Sequence, residues 1–224
     1  MAGGLENFSA IKFLGSGKVC QVFEIADIHA ANKRLVLKLP IFFHPNPMDF
    51  AASESYIRFE IEILKSLSLI SDTRIAGHFP KLITYGKVKD LLKLSIPQID
   101  SYRHFPDSPF ILQEFAQGVS LDDYAQSSQL TEGDFVEIFE QLICFFQALF
   151  ENEIVYRDVK LNHIFWDSQN RNVQLIDWNI VQIKADECYG LSFDKNESLQ
   201  QLLQEMEKLN MHEILKKFIK SRAG

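Results

Sequence analysis

Strand-like segments crowd the first half of the chain. Residues 11–39 contain β-rich runs around a glycine turn and then the apolar run RLVLKLP, which stops at Pro40. Three further strand-like runs, HFPKLITYGKV, LLKLSIP and PFILQEFA, follow between residues 78 and 116. Between these groups, apolar residues recur at three- and four-residue spacing from about Ala51 to Leu69, which predicts one amphipathic helix.

Helix-like segments dominate the second half. LTEGDFVEIFEQLICFFQALFENE predicts a long helix whose start carries Thr131 and Asp134 in the spacing of a capping box, with Asp in place of Glu or Gln. A polar turn, DSQNRN, precedes the run VQLIDW, which is typical of a buried strand. The tail from about Asn196 to Ile219 predicts a last amphipathic helix.

This distribution predicts an α+β fold in two lobes. We expect an antiparallel sheet with one helix over residues 1–115, a hinge near Phe115–Gly118, and a smaller, mainly helical lobe over residues 119–224. A chain of 224 residues is long enough for one domain with a substantial core.

Composition limits the class of protein. The chain is 46% apolar and 24% charged, as soluble globular proteins are, and its apolar runs are shorter than the roughly 18 residues of a membrane helix. The N-terminus lacks the layout of a secretory signal, and three scattered cysteines suggest a reducing compartment. A net charge of -7 argues against a nucleic-acid footprint over the whole surface. We therefore expect a soluble, cytoplasmic protein that binds neither membranes nor nucleic acid.

An ordered set of charged residues occupies the polar turn of IVYRDVKLNHIFWD. Asp158 and Lys160 lie in the turn, and His163 follows where strand-like residues return. Asp177 comes nineteen residues after Asp158, directly after the apolar run VQLI, and so emerges at a strand end. Taken singly, each aspartate has a simpler explanation, because aspartate often begins a turn.

The first half carries residues suited to an anion. Gly15 and Gly17 lie between two predicted strands, and without Cβ their amides can approach a phosphate, although a hairpin turn alone also favours glycine. Lys38 lies inside an apolar strand, where it either points to solvent or, if buried, needs a partner. The next helix offers Glu60 and Glu62 on different faces, so at most one faces the lysine easily.

Taken in order, these features resemble the motifs of the protein kinase superfamily. The resemblance covers about Ile11–Ile183, and VYRDVKLNHIFWD…VQLIDWN is its most specific part. It implies a two-lobed kinase-like fold that binds ATP and Mg²⁺ and transfers the γ-phosphate to a hydroxyl. Because Lys160 is present, it implies a serine/threonine protein kinase, while a small-molecule or glycan acceptor stays an alternative.

The resemblance also assigns the phosphate-binding residues. Gly15 and Gly17 would cover the ATP phosphates, although Cys20 replaces the third glycine of the loop. Lys38 would hold the α- and β-phosphates while paired with Glu60, because the helix register EIEILKSL matches the family best that way.

Adenine recognition is assigned to the sheet and the hinge. Val22 would lie above the adenine, and Val36, in place of the usual alanine, would narrow the pocket slightly. LQEFA resembles the hinge, so the Glu114 carbonyl and the Ala116 amide would receive the base behind Gln113, the gatekeeper.

The resemblance assigns transfer chemistry to the second half. Asp158 would orient and deprotonate the acceptor hydroxyl, Lys160 would neutralise the transferring phosphoryl group, and Asp177 would hold Mg²⁺. His163 stands where the family has a second metal-binding Asn, as in some small bacterial kinases of the lipopolysaccharide-core type. Because imidazole is a poor ligand for Mg²⁺, either Asp177 holds one Mg²⁺, or the site accepts a softer ion such as Mn²⁺, or His163 only packs behind the loop.

The end of the chain departs from the family. DWN replaces DFG, with Asn179 able to adopt left-handed geometry, and only 47 residues follow Asp177. We therefore expect a reduced C-lobe that a protein partner could complete and in which Arg157 is structural. Asp194 either braces the loop from a helix or serves only the start of that helix. These departures keep open a third reading, a pseudokinase that binds nucleotide and regulates a partner.

Overall fold

The computed structural model describes most of the chain. The described residues are 8–27, 33–41, 47–91, 97–127, 130–184, 194, 196–209, 214, 216 and 220. The chain forms two units, Met1–Ser68 with Lys81–Phe115 and Leu69–Pro80 with Ala116–Gly224, and each is described by itself.

The first unit is an antiparallel sheet with a long helix. The sheet has five strands in the order β1-β2-β3-β5-β4. The strands are β1 (Phe8–Ser16), β2 (Cys20–Asp27), β3 (Arg34–Pro40), β4 (Leu82–Lys87) and β5 (Pro109–Glu114). The helices are α1 (Pro47–Leu69), the short α2 (Val88–Leu91) and a 3-10 helix, Pro97–His104.

The register of the central strand β3 gives the sheet two unlike faces. Residues directly opposite each other in an antiparallel pair share a face, and Lys38 lies opposite Val22 on one side and Ile111 on the other. The other face belongs to a continuous apolar core under α2 and the 3-10 helix: Phe23, Ile25, Leu35, Leu37, Leu39, Val88, Leu91, Tyr102, Phe110 and Leu112. The apolar core therefore directs Lys38 to the opposite face, towards α1.

The second unit combines helices with two small sheets. The helices are α3 (Leu121–Gln126), α4 (Glu132–Glu151) and α5 (Glu197–Glu207), with a 3-10 turn at Leu161–His163. One sheet has the order β6-β8-β9 and the other pairs β10 with β7. The strands are β6 (Val119–Ser120), β7 (Ile154–Tyr156), β8 (Ile164–Asp167), β9 (Asn172–Leu175) and β10 (Val181–Ile183).

An aromatic cluster holds the core of the second unit. The buried rings of Phe145 on α4 and Tyr156 on β7 both pack edge-on against Trp178, with centroid distances of 5.9 and 4.9 Å. The Trp178 Nε1 donates a hydrogen bond of 2.9 Å to the carbonyl oxygen of Leu175. The turn that contains Asp177 is therefore anchored by the side chain that follows it.

Most of the predicted architecture is confirmed. The α+β fold is present, the predicted first helix lies within α1, and Thr131 and Asp134 form the expected capping box of α4. The predicted strand LLKLSIP is wrong at its ends, because Leu91 belongs to α2 and Pro97 to the 3-10 helix, and its middle lies outside the described residues. The described part of the predicted tail helix is chiefly α5, and most positions after residue 209 lie outside the described residues.

No helix in the described ranges is both long and apolar enough to cross a bilayer.

Gly118, at the junction into β6, supplies a test of this fold. We expect Gly118→Ala to lower the free energy of unfolding by more than about 3 kcal/mol, because its φ is +88° and an added Cβ would overlap the Trp166 carbonyl group. Gly77 is the matched control: its φ is +87°, but nothing lies within 4 Å of an added Cβ, so Gly77→Ala should cost only about 1 kcal/mol. Urea denaturation measures both, and equal losses would show that the Trp166 contact is not as described.

Candidate functional site

Lys38 and Glu60 form a buried ion pair in the first unit. The Lys38 Nζ lies 2.6 Å from the Glu60 Oε1, and the two side chains are 5% and 1% exposed. Glu62 instead pairs with Lys65 at the surface. Burial of two charges costs desolvation free energy that only a well-aligned ion pair offsets. Such buried pairs are often found at sites that bind charged ligands.

Further predicted site residues share the face of Lys38. Val22 lies opposite Lys38 in the β2–β3 pair, and Val36 lies opposite Gln113 in the β3–β5 pair. Gln113 is buried, and within the described residues its Oε1 has no hydrogen-bond partner. A buried acceptor without a hydrogen bond carries a desolvation penalty of about 1–3 kcal/mol. A ligand or water that donates to the Gln113 Oε1 would remove that penalty.

Gly15 and Gly17 lie at the β1–β2 hairpin. Gly15 is opposite Val22 in the ladder, and the Gly17 amide donates to the Cys20 carbonyl at 2.9 Å. Neither glycine has a positive φ, and among the described atoms none lies closer than 4.0 Å to a Cβ added at either position. The described chain itself therefore does not require glycine there.

Contacts of Arg34, which the sequence did not predict, hold the residue that follows β5. The Phe115 amide donates to the Arg34 carbonyl at 3.4 Å, and the Arg34 guanidinium lies 3.8 Å from the centroid of the Phe115 ring. Arg34 also binds the Glu24 carboxylate, and this hydrogen bond holds the pKa of Glu24 below its usual value. Ala116, the next residue, is buried and belongs to the second unit.

Four predicted residues of the second unit lie close together, three from the polar turn and Asp177 from the turn after β9. The Lys160 Nζ lies 2.7 Å from the Asp158 Oδ1, and the His163 Nε2 lies 3.7 Å from the Asp177 Oδ2. One possible ligand atom each from Asp158, His163 and Asp177 lie within 4.8 Å of one another. Two carboxylates and an imidazole at this spacing form a donor set that suits a divalent cation.

The orientation of His163 leaves one ring nitrogen free for a ligand. The ring is buried, and its Nδ1 lies 3.0 Å from the Asp158 carbonyl oxygen. Because a carbonyl oxygen only accepts, this contact requires a hydrogen on Nδ1, and the tautomer that carries it there leaves the Nε2 lone pair for a ligand. That lone pair faces the Asp177 carboxylate, the direction from which a shared cation would be bound.

Asn179 has a different role from the one expected. The residue in the left-handed region is Asp177, with φ 66°, whereas Asn179 has no positive φ. The Asn179 Nδ2 instead donates to the Asp177 Oδ1 at 2.7 Å. One carboxylate oxygen is therefore occupied by the amide, and the other faces His163.

Helix α5 contacts the backbone of the polar turn. Of the two roles open for Asp194, the structure shows the local one, because its Oδ1 accepts a hydrogen bond from the Asn196 amide at the start of α5. Arg157 makes a structural contact, with its Nε 2.7 Å from the Glu197 Oε1. The side chains that reach the backbone are Ser198, bonded to Tyr156, Gln201, bonded to Val159, and Glu205, bonded to Leu161.

Some of the contacts that the sequence did not predict had a detectable signal in it, and others had none. Ser198, Gln201 and Glu205 recur at spacings of three and four, so a second, polar stripe beside the apolar one on α5 was detectable, although its target was not. The contacts of Asn179 and Arg34 carried no signal in the sequence, because they follow from backbone geometry and strand pairing.

Residues 8–190 match the family described as protein kinase domain. The matched segment includes every residue predicted for the site, from Gly15 to Asp177.

The Lys38–Glu60 pair supplies a second test. We expect Lys38→Met or Glu60→Met alone to lower the free energy of unfolding by about 3 kcal/mol, because each removes the close partner of a buried charge, and the double variant to recover part of that loss. Lys65→Met and Glu62→Met, at the exposed pair of the same helix, are the control and should cause no measurable loss. Additive losses in a double-mutant cycle at Lys38 and Glu60 would contradict the pairing.

Proposed function

Because this chain belongs to the protein kinase family, we propose that it is an ATP-dependent enzyme that transfers the γ-phosphate to a serine or threonine hydroxyl. Protein kinase domains are phosphotransferase domains, and the finer assignment rests on one observation. Asp158, Lys160, His163 and Asp177 converge in one turn region of the second unit. The proposal treats the chain as one kinase-like domain with lobes over 1–115 and 119–224, acting in the cytoplasm.

Asp158 and Lys160 are proposed to act on the acceptor and the moving phosphoryl group. Phosphoryl transfer leaves little covalent work to the protein, so positioning and charge neutralisation dominate. Asp158 would accept the hydroxyl proton as the oxygen attacks. Lys160 is half exposed, and an exposed ion pair is held weakly, so its ammonium can leave Asp158 for the phosphoryl oxygens.

Asp177 and His163, with Asp158 nearby, are proposed to hold the divalent cation, Mg²⁺ or Mn²⁺. The donor set supports this assignment, since carboxylate oxygens suit Mg²⁺ and the free Nε2 of His163 suits a softer ion. A cation there would supply positive charge to the phosphate oxygens. Asn179 would keep the Asp177 carboxylate turned towards it.

Residues of the first unit, together with Ala116, are proposed to bind ATP. Lys38, oriented by Glu60, would hold the α- and β-phosphates beneath the amides of Gly15 and Gly17. The shared face of β2, β3 and β5 supports an adenine site nearby, and the unsatisfied Gln113 acceptor lies on that face. The residues proposed for adenine are Val22, Val36, Gln113, Glu114 and Ala116.

The proposal is tested by transfer from γ-labelled ATP. In the presence of Mg²⁺ or Mn²⁺, we expect the wild type to transfer label to itself or to a generic protein. The transfer rate should fall about 100-fold or more in Asp158→Asn, which removes the proton acceptor, and in Asp177→Ala, which removes the cation ligand. Asp122→Asn, at an exposed position of α3, is the control and should keep wild-type activity.

Other results overturn the proposal in different ways. Labelling of sugars but not of proteins would identify a small-molecule or glycan kinase. Thermal stabilisation by ATP without any transfer would instead identify a regulator that binds nucleotide.

The cation assignment has its own prediction. We expect His163→Asn to lower the ratio of Mn²⁺ to Mg²⁺ affinity about tenfold, because it replaces a nitrogen ligand by an amide oxygen. Electron paramagnetic resonance of free Mn²⁺, with Mg²⁺ as competitor, measures this ratio without any turnover. An unchanged ratio would mean that His163 only packs behind the turn.

A further inference from the structure

The segment from Tyr156 to Leu161 runs along α5 and is tied to it by side chains. Its backbone makes three hydrogen bonds with the helix: the Tyr156 carbonyl accepts from the Ser198 Oγ at 2.6 Å, the Val159 amide donates to the Gln201 Oε1 at 3.0 Å, and the Leu161 amide donates to the Glu205 Oε2 at 3.1 Å. These are bonds that a neighbouring strand would otherwise make.

The spacing of the helix matches that of the extended segment. Four residues of an α-helix rise about 6 Å, and two residues of extended chain advance about 6.6 Å. Gln201 and Glu205, four apart, therefore meet the amides of Val159 and Leu161, two apart. Leu202 is buried on the same helix, which fixes the rotation of α5.

The peptide group between Asp158 and Val159 is held on both sides. Its N–H donates to the Gln201 Oε1, and its carbonyl oxygen accepts from the His163 Nδ1, each at 3.0 Å. A peptide group bonded at both ends cannot rotate without losing one bond. Its position sets both the direction of the Asp158 side chain and the ring nitrogen of His163 that carries hydrogen.

We propose that Gln201 is a positioning residue for phosphoryl transfer, and that Glu205 supports it from the next turn of α5. Gln201 holds the Asp158–Val159 peptide, and through it fixes the Asp158 carboxylate and the free Nε2 of His163. Both residues act as hydrogen-bond acceptors, and the negative charge of Glu205 is not needed. This inference rests on the proposed function, because it names what positions that reaction's carboxylate.

Variants on one helix test the acceptors. We expect Gln201→Met and Glu205→Met to lower kcat by about 10- to 100-fold with KM for ATP little changed, because they loosen the Asp158 peptide without touching the nucleotide residues. Glu205→Gln keeps an acceptor and should stay within about threefold of wild type. The matched controls are Gln204→Met and Glu207→Met, at exposed positions of α5, and both should behave as wild type.

Hydrogen exchange provides a readout that does not depend on activity. The Val159 amide should lose protection in Gln201→Met, and the Leu161 amide in Glu205→Met, while Glu205→Gln and both controls keep the protection of the wild type.

Failure of the positioning role differs from failure of the proposed function. Two results with an active wild type would overturn the role of Gln201 alone. In the first, Gln201→Met keeps the wild-type kcat; in the second, its KM for ATP rises by the same factor as its kcat falls. If Gln201→Met fails to fold, Glu205→Gln decides, because a loss there as large as in Glu205→Met would show that charge and not the acceptor matters. A wild type that transfers no phosphate would overturn the proposed function itself, and the positioning role with it.

Discussion

A hydrogen bond on each side of the Asp158–Val159 peptide is the constraint on which the site of the second unit depends. The turn lies between β7 and β8. Its first amide, that of Arg157, donates to the Ile180 carbonyl, and α5 provides acceptors for the Val159 and Leu161 amides in place of a strand. A buried peptide group left without partners would cost about 1–3 kcal/mol, so the helix and the turn stabilise each other. The same bonds that satisfy the backbone also orient the side chains.

The two lysines proposed to act on phosphate, one in each unit, are held in opposite ways. Lys38 is 5% exposed and bonded to a carboxylate that is itself 1% exposed, whereas Lys160 is 50% exposed and pairs with Asp158. A buried cation keeps one position, which suits a group that binds the same phosphates in every cycle. An exposed cation on a flexible stem can change partner, which suits a charge needed only while the phosphoryl group moves.

Local signals predicted part of this structure, and long-range contacts explain the rest. The capping box at Thr131 and Asp134 depends on neighbouring residues and could be read from the sequence. The choice of Glu60 over Glu62 came from the resemblance to the family, because the local pattern left both glutamates open. The bond from Asn179 to Asp177 could not, because it requires Asp177 to adopt φ 66°. Nor could the α5 contacts, which join residues more than forty positions apart.

Asn179 and His163, the two residues that depart from the family pattern at this site, both contact or face the Asp177 carboxylate. The Asn179 amide binds one oxygen of Asp177 and leaves the other facing the imidazole, so the carboxylate offers a single oxygen in that direction. The glycine of the usual motif has no side chain with which to do this. Mg²⁺ also binds a carboxylate through one oxygen, so the Nε2 of His163, and not the number of Asp177 oxygens, separates this donor set from one built of oxygens alone. At the proposed cation site, Asn179 would direct one Asp177 oxygen and His163 would add a nitrogen ligand beside it, a donor set that suits Mn²⁺ as well as Mg²⁺.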